Sequence, residues 1–504
     1  MQDLSKSLGN KSLSAVFWGG GGSVLRILLQ FGAQVVLARI LGPEQYGLFA
    51  IGAIVISFSS FLSDIGLAYG LIQKKNVDSD DIRFVFTWQI ILGLIVSLSV
   101  AWAAEGIAEF FGDARSASVV KALAIVCLFN AVAAPSLNLL KRQLDFKRIQ
   151  LSQILAFITG YVLVGIPLAW FGAQVWALIA AWFSQALVTF IFLYRATDHP
   201  LQPLLWYHEA RALFGYGGTV LITNLVNWFI NNIDRVIVGR VFSSQQIGLY
   251  ATSYNMLYAP TSSLLGVIQP VFFSASARVA DQQSKIDAAY RALLGAVAIF
   301  ILPVFTTLSA VAETFIFAVY GPKWAAAVVL FRPFALAMPL FLVWGFTTPL
   351  LWSAGYASRE FRSQLPVALL WAIGSWWAAS NSAEAVAWVV FVLFGVRCAV
   401  IMGSAVRVLH LDLYQVWKAV RGGLFLSLLL PMVIGGLDTQ IAALPALLRL
   451  ALDALAGGLV MVMLLRLLPG IVGHDLNLLI VRILDRCPAV LAAKLMLIFP
   501  QGAR

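Results

Sequence analysis

Apolar runs long enough to cross a bilayer follow one another along nearly the whole chain, each ended by charged residues or by Gly and Pro. About 20 apolar helical residues span the hydrocarbon core of a membrane, so each run predicts a transmembrane helix. Fourteen such spans are predicted, near 15–38, 48–72, 84–104, 117–139, 150–171, 174–194, 214–234, 247–270, 290–310, 325–352, 364–380, 384–406, 420–437 and 441–467.

Positive charges concentrate in every second loop between these spans. Lys141, Arg142, Lys147 and Arg148 lie in one such loop, whereas the alternate loops carry acidic residues such as Glu105. Loops rich in Lys and Arg stay on the cytoplasmic side of a membrane, so the pattern predicts that both termini are cytoplasmic. After the last span, residues 475–499 predict an amphipathic segment on the inner surface.

A repeated motif divides the spans into two equivalent halves. Residues 39–50 and 240–251 share Arg, Gln, Gly, Leu and Ala at a constant offset of 201 positions. An even number of helices per repeat gives both halves the same orientation, related by an axis along the membrane normal. We therefore expect an all-α membrane protein with two six-helix bundles, residues 1–200 and 201–410, followed by a helix pair and tail in 411–504.

The composition excludes soluble classes of protein. Of the 504 residues, 61% are hydrophobic and only 11% are charged, against about 25% charged residues in a typical soluble protein. The formal charge of +11 would suggest nucleic acid as a partner of a soluble protein, but here the cations occupy orienting loops and none is expected. Three cysteines, far apart in the sequence, predict neither a disulfide framework nor a metal site.

Two of the predicted spans carry matched stripes of polar residues. Their members recur every three or four positions and so share one helical face, and the offset of 201 maps one stripe onto the other. The stripes are Arg26, Gln30 and Gln34 in the first span, and Asn224, Asn227, Asn231 and Arg235 in the seventh. An Arg at bilayer depth costs about 2.5–3.5 kcal/mol on insertion scales and needs a partner or water. The matched stripes favour a hydrated cavity between the halves, with interhelical hydrogen bonding as the alternative.

Acidic residues near the spans are candidates for ion coupling. Asp64 lies in the second predicted span and Asp234 in the seventh. A desolvated carboxylate titrates closer to neutral pH, which would suit proton exchange. The alternative for Asp234 is a pair with Arg235 or Arg240, and for Asp64 it is capping or pairing near a helix end.

Cations at the span ends are candidate rim residues. Arg39 and Arg240 could guide an anionic substrate, although neutralising helix carbonyl ends is the stronger expectation. Lys141 and Arg142 could attract a diphosphate, with loop orientation as the stronger expectation. The acidic cluster at 78–81, beside further basic residues, predicts a solvated loop.

Five segments together resemble one branch of a transporter superfamily. They are residues 37–47 (LARILGPEQYG), 63–67 (SDIGL), 142–148 (RQLDFKR), 232–240 (NIDRVIVGR) and 320–324 (YGPKW). The resemblance covers about residues 10–440 and is to the polysaccharide transporter branch, the lipopolysaccharide and exopolysaccharide flippases, of the multidrug/oligosaccharidyl-lipid/polysaccharide exporter superfamily. It implies two six-helix bundles around a cavity. The implied activity is alternating-access transport of an undecaprenyl-diphosphate-linked oligosaccharide across the bacterial inner membrane.

Under that resemblance, Arg26 and Arg235 are expected to neutralise the diphosphate, while the stripe amides bind sugar hydroxyls. Membrane lipids are expected partners, and the polysaccharide polymerase and chain-length machinery are candidates. We expect a monomer without a cofactor, and the sequence contains no Walker-type phosphate loop. Coupling to protons or sodium is left open.

Other functions remain alternatives at this point. A multidrug or cation antiporter of the same superfamily would use a carboxylate-rich cavity, whereas these stripes carry Arg and amides. A membrane-embedded polysaccharide polymerase or ligase would need a large loop with paired carboxylates for metal chemistry. A scaffold for polysaccharide assembly is the third alternative. A non-enzymatic carrier is the expectation.

Overall fold

The computed structural model describes residues 25–64, 66–74, 76–208, 210–278 and 283–484, and within these ranges the regular backbone is helical and includes no strand. The helices before residue 279 are α1 (25–41), α2 (Pro43–Asp64), α3 (Leu67–Gln73), α4 (Ser79–Phe111), α5 (Arg115–Arg142), α6 (Phe146–Phe157), α7 (Ile166–Trp170), α8 (Val175–Thr197), α9 (Ala210–Val241) and α10 (Ser244–Arg278). A π-helical segment, Ile158–Gly165, joins α6 to α7.

The remaining helices are α11 (Gln283–Ala296), α12 (Leu302–Ala310), α13 (Ala312–Val319), α14 (Val328–Ser353), α15 (Ala357–Ala379), α16 (Ala383–Leu409), α17 (Leu413–Gln440), α18 (Ala446–Leu467) and α19 (His474–Leu484). A second π-helical segment, Val297–Ile301, joins α11 to α12. Short 3-10 turns at Pro322–Ala327 and Pro469–Ile471 precede α14 and follow α18.

Ten helical stretches among the described residues are long and apolar enough to cross a membrane. They are Pro43–Ser63, Ser79–Phe111, Arg115–Arg142, Phe146–Trp170, Val175–Thr197, Ser284–Ala310, Pro322–Ser353, Ala383–Val408, Leu413–Gln440 and Ala446–Leu467. The chain is therefore an all-helical, multi-pass membrane protein, and the expected fold class is confirmed.

The expected count of fourteen spans is not confirmed. Three of the missing spans coincide with helices α9, α10 and α15, with 32, 35 and 23 residues, which are not among these ten. The first predicted span begins outside the described residues. The second predicted span, 48–72, is divided into α2 and α3, because Gly66 adopts a left-handed conformation (φ 72°) that glycine reaches without steric cost.

Contacts between α-carbons divide the chain into two compact units, Met1–Thr252 and Ser253–Arg504. This division falls inside α10, and the duplication boundary near residue 200 stays a prediction. In the first unit, α5 packs against α2, α4 and α8, and α9 packs against α2, α3 and α4. The core between these helices is formed by buried aliphatic side chains such as Leu48, Val120 and Leu123.

In the second unit, α14 and α15 pack against α16, and α12 packs against α17. Ile299, Leu426 and Leu464 belong to its buried core. The amphipathic segment expected at 475–499 begins as α19, which packs against α11. There the Arg291 Nε atom donates to Asp475 Oδ2 at 2.7 Å. The rest of that segment lies outside the described residues.

The chain after α8 packs along the first turns of α4. The backbone N–H of Leu204 donates to Thr87 Oγ1 at 2.9 Å, and Trp88 Nε1 donates to the Leu205 carbonyl at 3.0 Å. The Tyr207 hydroxyl donates to Asp81. The segment that connects the two predicted repeats is thereby fixed to the first unit.

Asp81 corrects the expectation of a solvated acidic loop. Its side chain is fully buried, and Lys74 Nζ donates to both carboxylate oxygens at 2.6 Å. The Asp78 N–H donates to Asp81 Oδ2 at 2.9 Å, because Asp78 and Asp81 form the capping box of α4. Acidic residues three positions apart before an apolar run are the signal for such a box.

Replacing Asp81 should destabilise the first unit more than replacing Asp80. In Asp81→Ala the partly buried Lys74 ammonium loses its partner, which typically costs about 3 kcal/mol. Asp80 pairs with Arg83 at the surface, with 53% of the Asp80 side chain exposed, so Asp80→Ala should cost under roughly 1 kcal/mol. Denaturation of the purified variants measures the difference. Equal losses of stability would contradict the structural role of Asp81.

Candidate functional site

The two copies of the repeated motif lie against each other in the first unit. A β-carbon at Gly47 would stand 1.6 Å from the Ser244 carbonyl oxygen, and one at Gly248 would stand 1.9 Å from the Pro43 carbonyl oxygen. The offset of 201 relates Gly47 to Gly248 and Pro43 to Ser244. Each copy therefore makes the same contact with the other, as elements related by a two-fold axis do.

This approach requires glycine in both copies. A real β-carbon does not come within 3.0 Å of a backbone carbonyl oxygen, so any larger residue at Gly47 or Gly248 would force α2 and α10 apart. Gly32 is not constrained in this way, since a β-carbon there would meet no atom within 4 Å. The glycine shared by the two copies thus has a steric function.

A polar bridge links the same two helix ends. Arg115 NH1 donates to Glu44 Oε1 at 2.7 Å, and Arg115 NH2 donates to Asp113 Oδ2 at 2.8 Å. The Ser244 hydroxyl donates to the same Asp113 carboxylate. Glu44 belongs to the first copy and Ser244 to the second, so Asp113 and Arg115, between α4 and α5, tie the copies together.

The Asp113 carboxyl holds its charge because of this bridge. Hydrogen bonds from Arg115, then from Ser244, keep the pKa of Asp113 below its ordinary value, against the opposing effect of partial burial. The link from Arg115 to Glu44 is weaker, since both side chains are more than half exposed and water screens the pair.

The structure gives Arg26 of the first stripe a protein partner. Its guanidinium NH1 donates to Gln153 Oε1 on α6, an interhelical hydrogen bond of the kind that the alternative interpretation expects. The Arg26 Nε atom is buried and has no hydrogen-bond partner among the described residues. Gln30 and Gln34 are half-buried on the same helix. Sequence reasoning missed Gln153, although it is a polar residue within an apolar run.

The second stripe lies beside a packed face of α9. Trp228 Nε1 donates to Ser57 Oγ on α2 at 2.9 Å, whereas Asn227 and Asn231 are exposed. Arg235 is half-buried. The Asn224 side chain lies outside the described residues.

The two candidates for ion coupling differ in what the structure describes. Asp234 is buried and accepts a hydrogen bond from the Tyr250 hydroxyl at 2.7 Å, a contact between α9 and α10 that the sequence did not indicate. The Arg240 guanidinium instead lies 5.5 Å from the centre of the Phe110 ring. Asp64 is the last residue of α2, and its side chain lies outside the described residues.

Two of the candidate rim residues contact α3. Arg142 NH1 donates to the carbonyls of Leu71 and Lys74 at 3.0 and 2.5 Å, at the end of that helix where backbone acceptors are unsatisfied. Lys141 Nζ lies 5.8 Å from the centre of the Tyr69 ring. Arg39 has an exposed side chain. A rim role for these residues stays a prediction.

A buried polar network in the second unit was not predicted. The Arg397 guanidinium donates to Gln364, and Gln364 donates to Glu360. The guanidinium carbon also lies 3.8 Å from the centre of the Trp344 ring. The Arg397 guanidinium and the Glu360 carboxylate both lie in the second unit, and their opposite charges balance. A lone Arg inside the apolar run 384–406 was the available signal.

Sequence comparisons relate this chain to polysaccharide biosynthesis proteins. A family model described as "Polysaccharide biosynthesis protein" matches residues 36–329. The chain is 24% identical over 320 residues to the lipopolysaccharide biosynthesis protein WzxC of Escherichia coli (strain K12), covering 63% of this chain and 65% of WzxC. It is 22% identical over 299 residues to the succinoglycan biosynthesis transport protein ExoT of Rhizobium meliloti (strain 1021), covering 59% of this chain and 60% of ExoT. The chain thus covers slightly less than two thirds of each relative.

Among solved structures, the fold is similar to that of the lipid II flippase MurJ in an inward closed conformation. The TM-score is 0.69 at 11% sequence identity, with 89% of this chain and 99% of that chain covered. This similarity shows that the two chains share a helical fold.

Enlarging Gly47 should separate the two motif copies. Residues 44 and 245 are equivalent and exposed, so the yield of thiol cross-linking between Glu44→Cys and Gln245→Cys measures how close the copies lie. Adding Gly47→Leu should reduce cross-linking several-fold, because the new side chain overlaps the Ser244 carbonyl. Gly32→Leu is the matched control and should leave the yield unchanged. Equal yields in both variants would show that the copies do not touch as described.

Removing the Asp113 charge should weaken the polar bridge and abolish its pH dependence. The folded pKa lies below the ordinary 3.8, so the stabilisation is complete above that value and is lost as the pH falls through the folded pKa. Asp113→Asn should cost roughly 1 kcal/mol at neutral pH, and the difference from wild type should shrink as the pH falls through the folded pKa. Denaturation across this pH range tests both points. The exposed Glu109→Gln is the control, and a pH-independent difference would contradict the prediction.

Proposed function

The chain belongs to the polysaccharide biosynthesis protein family, and from that premise we propose that it carries a lipid-linked oligosaccharide across the membrane. The family match is the observation that supports this most strongly, since residues 36–329 include both motif copies. A relative named as a biosynthesis transport protein and a similar structure named as a lipid II flippase support a carrier rather than an enzyme. The substrate would be an undecaprenyl-diphosphate-linked repeat unit for lipopolysaccharide or exopolysaccharide synthesis.

The stripes supply the chemistry that such a substrate needs. Arg26 and Arg235 would neutralise the diphosphate through charge-assisted hydrogen bonds. The unpartnered Nε atom of Arg26 supports this role, because a bound anion would complete its hydrogen bonding. Asn227 and Asn231, whose side chains are exposed, would bind sugar hydroxyls together with Gln30, Gln34 and Asn224.

The contact between the motif copies would close one face of the carrier. Alternating access needs a contact that is tight in one state and broken in the other. The contact at Gly47 and Gly248 is tight, yet the glycines themselves contribute no large apolar side chain that would have to be pulled apart when the contact opens. With both termini cytoplasmic, as the loop charges predict, this contact lies toward the outer face of the bacterial inner membrane. Its opening would release the substrate outward.

The remaining assignments follow the same proposal. Asp64 and Asp234 are candidates for ion coupling, and Arg39, Arg240, Lys141 and Arg142 are candidates for the rim. Membrane lipids surround the carrier, which works as a monomer. The polysaccharide polymerase and the chain-length machinery would consume its product.

Deletion of the gene should trap lipid-linked repeat units on the cytoplasmic leaflet and remove the surface polysaccharide. Leaflet distribution is measured with a membrane-impermeant reagent that labels the sugar, and complementation with the wild-type gene is the control. Unchanged surface polysaccharide would overturn the proposal. Restored export of cationic dyes alone, without polysaccharide, would support the antiporter alternative instead.

Substitutions at Arg26 and Gln153 separate substrate binding from helix packing. Losing one charge-assisted contact to the diphosphate costs about 1.5–3 kcal/mol, so Arg26→Ala should lower transport roughly 10- to 100-fold. Arg26→Lys should retain part of the activity, and Gln153→Ala should retain most of it. If Arg26→Ala and Gln153→Ala reduce transport and protein level equally, the hydrogen bond only joins α1 to α6.

A further inference from the structure

The second unit contains a cavity of about 350 Å³ between α12, α17 and α18. Its wall is almost entirely apolar, with side chains such as Val304, Leu430 and Met461. Two polar side chains interrupt it, Asp453 of α18 and Thr307 of α12. The three helices include stretches long and apolar enough to span a membrane.

Asp453 is an unusual wall residue because its charge is not compensated. Only 4% of the residue is exposed, and neither carboxylate oxygen has a hydrogen-bond partner among the described residues. The Thr307 hydroxyl is likewise buried without a partner in that part of the chain. An ionised carboxylate buried without a partner is strongly unfavourable.

The neighbouring cation, Arg449, already donates hydrogen bonds to a different carboxylate residue, Asp438. Arg449 Nε donates to Asp438 Oδ1 at 2.9 Å, and Arg449 NH2 donates to the Asp438 carbonyl at 3.3 Å. The Thr314 hydroxyl of α13 donates to Asp438 at 2.7 Å. Asp453 faces the like charge of Asp438, and Arg449 acts on Asp453 only at longer range because its hydrogen bonds go to Asp438.

One added positive charge would balance this cluster, and a proton is the cation that fits it. Two carboxylates and one guanidinium carry a net charge of −1. A proton on Asp453 removes that charge, and its O–H can donate to Asp438, whereas two ionised carboxylates cannot bond each other. No group of three His, Cys, Asp or Glu side chains in the described residues could hold a metal ion.

We propose that Asp453 binds one exchangeable proton, shared with Asp438 and reached through the cavity. The site lies in the helix pair after the two predicted repeats, and so belongs to the second unit, whereas Asp64 and Asp234 belong to the first. Its reaction is the transfer of one proton between the Asp453 carboxyl and water, without any other reactant. If the proposed carrier function holds, this proton is a candidate for the ion that drives transport.

Infrared spectroscopy of the purified full-length protein tests the site directly. The carbonyl band of a protonated carboxylic acid should be present in mildly acidic solution, disappear as the pH is raised, and be lost in Asp453→Asn. That variant closely resembles the protonated acid in shape and should fold. Asp438→Asn, which changes the acceptor of the shared proton, should shift the band. The exposed Glu384→Gln is the control and should leave it unchanged.

Two results would overturn the proposal. The absence of the band in the wild type would mean that Asp453 is ionised and holds another cation. A band that persists at every pH would mean a structural proton that does not exchange.

Access through the cavity is tested by filling it. A β-carbon at Gly458 would meet no atom within 4 Å, and this residue lines the cavity. Gly458→Leu should slow hydrogen–deuterium exchange of the Asp453 band several-fold. Unchanged exchange would rule out the cavity as the route.

A transport assay separates this site from the carrier function. In Asp453→Asn, flipping should lose its dependence on pH over the range in which the wild-type band titrates. Unaltered pH dependence would exclude Asp453 from coupling. Failure of the wild-type chain to flip any substrate would reject the carrier function, while the infrared result would still stand.

Discussion

The approach of two backbones at Gly47 and Gly248 is the constraint on which the first unit depends. It fixes the start of α10 against the start of α2, and α9 packs against α2, α3 and α4. Asp113 and Arg115 can bridge Glu44 and Ser244 only because these helix ends meet. Close packing without side chains is common between membrane helices, where small residues let backbones touch.

Buried polar groups show how the chain meets the demands of an apolar surrounding. Asp234 has the Tyr250 hydroxyl, and Arg397 has Gln364 and the face of Trp344. Each of these groups gains a partner within its own unit, as burial requires. Asp453 is different, because its nearest donors are committed to Asp438. This difference is the reason for proposing an exchangeable proton at Asp453.

The sequence predicted the helical class, the family and the equivalence of the two motifs. It did not predict that Gly47 and Gly248 touch, because a repeat offset states which residues correspond and not which are adjacent. Hydropathy likewise overlooked Asp81, whose burial depends on Lys74 and on Tyr207, more than 100 positions away. The count of fourteen spans was not confirmed, because the first predicted span begins outside the described residues and the spans expected at α9, α10 and α15 are not among the ten found in those residues.

The equivalence of the glycine contact has an evolutionary consequence. In an ancestor with one half per chain, Gly47 of each subunit would have met position 43 of its twin, as isologous interfaces require. Fusion of two such genes would release the copies from identity, and Pro43 and Glu44 correspond to the different residues Ser244 and Gln245 at the offset of 201. Glycine is present at the same position of both copies while the neighbouring residues differ. Each copy of the motif could therefore specialise independently of the other.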